Sequence, residues 1–212
     1  MNIDNEFTAK RLSRVFESLS LTAPSTLFAE LRTRYSDNSR AYYNVGHIEH
    51  CLQELDKCPI LPGNVNELEL AIWFHDAVYD TRASDNELRS ADLAEQSLRA
   101  CNATTNTISQ VRSLILATTH DLPGITVDQQ IMCDVDLSML GVPPAVYMRL
   151  EAAIRHEYAW VPWHEFAQGR ARILRHLLDR QAIYATPWFA EHYEVPARQN
   201  LAEAIARLLN AE

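Results

Sequence analysis

Apolar residues recur at steps of three and four along almost the whole chain, while alternating runs rich in Val, Ile and Thr are missing. That period belongs to a helix with one buried face; a half-buried strand would alternate every second residue. The expected fold is therefore all-α. A single helical domain of about eight to ten helices fits the 212 residues. With 47% apolar and 22% charged residues, the chain can bury a core.

Punctuation supplies the boundaries. Phe7, Leu12, Val15, Phe16 and Leu19 mark a first helix, and Thr22-Ala23-Pro24-Ser25 opens a second that runs to about Tyr35. Val45, Ile48, Leu52 and Leu55 form a stripe over residues 44–57, ended by Pro59 and the Pro62-Gly63 turn. A largely buried helix over residues 66–80 follows. Ser84-Asp85-Asn86-Glu87 has capping-box spacing and opens a helix through Ala100. Further helices are expected from Thr107 to His120, before the Pro123-Gly124 break, and over residues 129–140, closed by Gly141. The remainder read as a helix from Pro143-Pro144 to Tyr158, then 163–179, a short one at 188–193, and 197–210.

Composition removes several function classes. The formal charge of −9 argues against nucleic acid or an anionic membrane as partner. The 5 glycines include no G-x-G, and G-x-S-x-G and H-E-x-x-H are absent, which excludes Rossmann, Walker, esterase and zincin sites. Cys51, Cys58, Cys101 and Cys133 form no C-x-x-C and read as reduced core thiols. The acidic start, Met1 to Glu6, and the lack of a long uninterrupted apolar run give the expectation of a cytoplasmic protein with no membrane span.

Three conflicts with the apolar pattern carry the chemistry. On a helix, His75-Asp76 has Ala71, Ile72, Val78 and Tyr79 around it, and a buried carboxylate there needs a cation or a proton. Asp136 has Met132, Cys133, Met139 and Leu140 at its neighbouring turns, whereas Asp134 has a mixed set, so Asp136 is the better inward ligand. His47 opens the 44–57 helix beside Val45 and Ile48. One imidazole, a His-Asp pair and a later Asp make a mixed N/O ligand set. It suits a divalent transition metal, Mn, Fe, Co, Ni or Zn, and suits Mg less well. A second His-Asp dipeptide, His120-Asp121, sits at a helix end.

In the order His47, His75-Asp76, Asp136, the sequence resembles the HD-domain superfamily of metal-dependent phosphohydrolases. It is most similar to a group of small bacterial predicted members. The stretches that carry the resemblance are Arg40-Ala41-Tyr42-Tyr43-Asn44-Val45-Gly46-His47-Ile48, Phe74-His75-Asp76-Ala77-Val78-Tyr79-Asp80, Asn86-Glu87-Leu88-Arg89-Ser90-Ala91, Cys133-Asp134-Val135-Asp136-Leu137-Ser138-Met139-Leu140-Gly141, Ile154-Arg155-His156-Glu157-Tyr158 and Ala197-Arg198-Gln199-Asn200-Leu201. They span roughly residues 25–205. One departure stands out: that group usually reads Tyr-His-Asn where this chain has Tyr42-Tyr43-Asn44.

The resemblance implies an all-α fold in which His47, His75, Asp76 and Asp136 hold one metal. It also implies a hydroxide, formed from the metal's water, that attacks phosphorus in a small phosphate ester such as a nucleotide. Glu87 and Asp80 are then the candidate acids for orienting water or protonating the leaving group. Arg40, Arg155 and Arg82 are the candidate phosphate contacts, and His120 could contact phosphate or a second metal. A homodimer fits the same family. Two other readings stay open: a nucleotide-binding regulatory protein with little turnover, which Tyr43 keeps alive, and an HD-type di-iron oxygenase.

Overall fold

The computed structural model describes residues 6–120 and 124–210, so Met1 to Asn5, Asp121 and Pro123 lie outside the described residues. Among the described residues there are ten α-helices and no strand: α1 (Ala9–Ser18), α2 (Leu27–Tyr35), α3 (Val45–Lys57), α4 (Val65–Phe74), α5 (Asn86–Ala100), α6 (Thr105–Ala117), α7 (Val127–Leu137), α8 (Pro144–Glu157), α9 (Trp163–Leu178) and α10 (Pro187–Asn210). A 3-10 turn, Ser138–Gly141, continues α7. Among the described residues no single helix is long and apolar enough to cross a membrane.

Each helix contributes to one apolar cluster, from Leu12 on α1 and Leu31 on α2 to Leu174 on α9 and Leu201 on α10. Trp73 and Phe74 on α4 are fully buried, with α1, α3, α5, α6 and α7 packed around that helix. Burying one such aromatic contributes about 2–3 kcal/mol. The second half of this central helix, Leu70 to Phe74, is apolar on every side, as an enclosed segment must be, while Glu69 before it is paired with Arg11.

Four local expectations are corrected. First, the helix expected over 66–80 ends at Phe74, because its last carbonyls are taken by other elements. Tyr35 donates to Trp73 O at 3.0 Å, and the Arg40 guanidinium donates to Asp76 O at 2.6 Å and Ala77 O at 3.2 Å. Second, the capping box at Ser84–Glu87 does not form. Asp85 makes no side-chain cap, and Asn86 instead clasps both backbone groups of Asp80 at 3.0 Å. The capping box that does form is Thr126 with Gln129, which starts α7.

Third, the stretches at 188–193 and 197–210 are one helix of 24 residues with Pro196 inside it. A proline there forfeits a helical hydrogen bond and costs about 3 kcal/mol. Phe189, Ala197 and Leu201, fully buried on either side of it, offset that cost. Fourth, Gly141 is not a left-handed helix stop, since no described glycine has positive φ. It is small because α10 passes close by. A Cβ at 141 would lie 2.8 Å from the Tyr193 ring and 2.9 Å from its carbonyl.

Asn200 donates to Leu140 O and Val142 O, both at 2.8 Å, and fastens the same turn to α10. Gly141→Ala should therefore lower stability by about 1–3 kcal/mol through overpacking, measured by chemical denaturation. An unchanged midpoint would show that the two elements can separate freely.

Candidate metal centre

The first ligand element begins in the loop before α3. Asn44 caps the helix by accepting from Gly46 N at 2.8 Å, and its amide donates to Ala41 O. Glu157, at the end of α8, accepts from Tyr42 N at 2.6 Å and Tyr43 N at 3.2 Å, so the loop is pinned from 114 residues further along the chain. His47 then lies in the first turn of α3 with its side chain 1% exposed. His75 caps α4, Asp76 follows it, and Asp136 lies in the last turn of α7. The three helices pack against one another.

Their polar atoms converge. His47 Nε2 lies 3.2 Å from His75 Nε2, 3.4 Å from Asp76 Oδ2 and 3.2 Å from Asp136 Oδ1. His75 Nε2 lies 3.1 Å from Asp76 Oδ2 and 3.5 Å from Asp136 Oδ1. Ligands about 2.1 Å from one cation stand ~3.0 Å apart in an octahedron and ~3.4 Å apart in a tetrahedron. The observed spacings fall in that range.

Two further observations separate this from a plain ion-pair cluster. Asp76 Oδ2 is buried and makes no hydrogen bond, although both imidazoles are near it. It points at the shared centre rather than along an N–H. His75 Nδ1 sits 2.9 Å from Ile72 O, which can only accept, so Nδ1 carries the proton of the neutral ring and Nε2 presents a lone pair inward. With that tautomer, His47 Nε2 at 3.2 Å either donates an N–H to the His75 lone pair or faces, with it, a cation that both nitrogens would share.

The electrostatics agree. Burial works against charging His75, yet Asp76 and Asp136 outweigh it and hold the imidazole well above the usual histidine range. His47 moves the same way against its own burial, through Cys51 and Tyr42 and through its closeness to the carboxylates of Asp136 and Asp76. Burial would raise Asp76 and Asp136, but contact with His75 and His47, and for Asp136 first of all with His120, brings both below the carboxylate range. Two carboxylates with two imidazolium protons are neutral as a set. A divalent cation with two neutral imidazoles gives the same balance.

Cys51, one turn beyond His47, is the free core thiol expected, and it also stands beside the cluster. His47, Cys51, His75 and Asp136 offer ligand atoms that all lie within 4.8 Å of one another. Its Sγ is 3.8 Å from His47 Nε2 and 4.0 Å from Nδ1, so it lies beside the ring and not on the Nε2 lone pair. The i, i+4 spacing from His47 was the signal that could have placed it there.

The carboxylates open onto a cavity of about 150 Å³ lined by Asp76, Asp136, Glu87, His120, Tyr43 and Arg170 among others. His120 Nε2 donates to Asp136 Oδ2 at 2.8 Å, and its backbone, at φ 57°, is held by Arg180 at 2.6 Å from the carbonyl. Burial pushes the Glu87 carboxyl up, with the charges of Asp76 and Asp136 adding to it. Tyr43, in place of the usual histidine, stacks on Tyr79 at 4.1 Å between ring centres. Its side chain is half-buried, and desolvation pushes the phenol pKa well above the usual tyrosine value.

The other expected residues stand elsewhere. Asp80 is exposed and accepts from Arg82 N at 2.9 Å in a loop turn, because Asn86 has bound its backbone. Arg40 spends its guanidinium on the carbonyls of Asp76, Ala77 and Tyr43, so it steadies the His75-Asp76 turn instead of lining the cavity. Arg155 donates to Tyr158 O at 2.7 Å and Val161 O at 3.1 Å beneath Phe166. Arg82 stacks on Trp160 at 4.1 Å. Asp134 is buried but faces away, accepting from Ala185 N and Thr186 N at 2.8 and 2.7 Å to cap α10.

Elemental analysis of the purified protein should find about one equivalent of transition metal, lost in His75→Ala and in Asp136→Ala and kept in Cys51→Ser. Loss in Cys51→Ser would make the thiol a ligand. In the metal-free protein the raised imidazoles contribute fully below their unfolded value of about 6.5 and progressively less as pH rises. The lowered carboxylates contribute above about 3.9 and less as pH falls. Thermal stability without metal should thus peak between about pH 4 and 6.5, and a melting temperature still climbing at pH 8 would contradict the charge arrangement.

In comparisons with known proteins, no family model matches this chain, and no curated protein or solved structure matches it. The reading of the centre rests on its own geometry.

Proposed function

We propose that the protein is a metal-dependent phosphohydrolase of the HD type, acting on a small phosphate ester at the His47–His75–Asp76–Asp136 centre. The observation that carries this reading is the buried Asp76 Oδ2, which no proton donor satisfies, aimed at the point where two imidazole nitrogens and a second carboxylate converge. The resemblance in the order of His47, His75-Asp76 and Asp136 supports the same assignment.

A divalent transition metal bound there supplies Lewis-acid polarisation of a phosphoryl oxygen and a water of lowered pKa. The chain's own groups do the rest. His120 fixes the free oxygen of Asp136, which holds Oδ1 toward the centre. His75 is oriented by Ile72 O, and the Arg40 guanidinium fixes the backbone of Asp76 from behind. Glu87, whose carboxyl burial pushes up, is the group on the cavity wall able to hand a proton to a leaving ester oxygen. Leu137, Leu140, Ile154 and Leu177 give that part of the cavity aliphatic walls.

The body of the ester has room in an adjoining cavity of about 400 Å³ that shares His120 and Leu137 with the first. That space suits a nucleoside-sized group. Phosphate release from a panel of phosphate esters, with the protein loaded in turn with manganese, iron, cobalt, nickel or zinc, should be measurable for at least one pair. Asp136→Ala should abolish it. Glu87→Gln should lower kcat about 10²- to 10⁴-fold with metal content unchanged. No phosphate release from any pair by metal-replete protein would overturn the proposal.

A further inference from the structure

Three carboxylates, Asp76, Glu87 and Asp136, line the cavity of about 150 Å³, so an anionic group enters against them. A divalent cation would balance Asp76 and Asp136 and leave no surplus to attract a phosphoryl group with two charges of its own. One guanidinium lines this cavity among the described residues, that of Arg170. It lies on α9 in the buried stripe of Phe166, Ala167, Ala171 and Leu174, with its side chain 14% exposed.

Arg170 is fixed in place but not used up. Glu151 on α8 accepts from its Nη2 at 2.6 Å and its Nε at 3.1 Å, a two-point grip that sets the plane of the guanidinium. Nη1 makes no hydrogen bond to any described residue, so its two N–H donors and the second N–H of Nη2 remain on a side chain that lines the cavity. A buried ion pair is weak support for stability, since apolar residues of the same volume would do as well or better. Beside this one, Tyr147 Oη is also buried without a hydrogen-bond partner. A polar arrangement with unspent donors in the wall of a cavity is the form of a binding subsite.

Resting on the hydrolase reading above, we infer that Arg170 receives the phosphoryl group of the substrate, with Glu151 as its positioning residue, and that the group is a terminal phosphate monoester. The chain's other arginines that sequence motifs brought forward, Arg40 and Arg155, are spent on backbone carbonyls and leave this role to Arg170. The space holds roughly five water volumes, enough for one phosphoryl group with a single ester substituent leaving it. An internal diester would need room for a second substituent beside Arg170, where Ile173 and Leu177 stand. Free orthophosphate presents the same oxygens and is the simplest probe.

The test is calorimetric binding of inorganic phosphate, and separately of dimethyl phosphate, to manganese-loaded protein. The variants are Arg170→Lys and the double variant Arg170→Met with Glu151→Gln, which leaves no unpaired buried charge. Wild type should bind phosphate and not dimethyl phosphate. Both variants should keep their manganese and bind phosphate about tenfold or more weakly. Wild-type affinity in the metal-replete double variant would overturn the role of Arg170 while leaving the hydrolase reading in place. Dimethyl phosphate binding as tightly as phosphate would overturn the monoester assignment. A wild-type protein that holds manganese but binds no phosphate would overturn the hydrolase reading together with this inference.

Discussion

Four side chains with opposed demands share one small volume at the meeting of α3, α4 and α7, and most of the surrounding structure answers to that. Two buried carboxylates need positive charge, two buried imidazoles resist it, and all lie within hydrogen-bonding distance of one another. Protons can satisfy these contacts one at a time, an N–H of one imidazole facing the lone pair of the other or a carboxylate oxygen. A divalent ion at the shared centre would satisfy them together, and the spacings are those such an ion would require. Isolated charges in an apolar core are otherwise among the most costly things a chain can bury.

The polar residues around the centre serve the backbone more than the cavity. Arg40, Arg155 and Arg198 each donate to two or more carbonyls near helix ends, and Asn200 does the same for the 3-10 turn. Helix C-termini leave carbonyls unpaired and carry partial negative charge, which a guanidinium satisfies on both counts. These clasps explain why arginines stand at positions 40 and 155, which as sequence read as candidate phosphate contacts.

The fold class, most helix boundaries and the convergence of His47, His75, Asp76 and Asp136 were legible because each conflicts with or follows the helical period. Asp136 and Asp134 could be ranked by their neighbours one turn away, and the ranking held even though Asp134 is the more buried of the two. Its burial comes from capping α10, a long-range hydrogen bond that local spacing does not encode. Asp80 and Arg40 were misplaced for a related reason. Their fate depends on Asn86 and on the carbonyls of residues 76 and 77, partners that no periodicity reveals. Arg170 was the opposite case: a charge on the buried stripe of α9, visible by the same rule that found Asp136 but not singled out.

The loop that carries His47 to its place is held from two directions. Arg40 within it reaches the carbonyls of Asp76 and Ala77, and Glu157 Oε1 takes the N–H groups of Tyr42 and Tyr43. All four converging residues lie within the first two thirds of the chain, yet one of these fastenings comes from a helix made after them. During synthesis those residues would emerge before that fastening could form. A metal held at this centre would therefore report, in part, on whether the second half of the chain has docked.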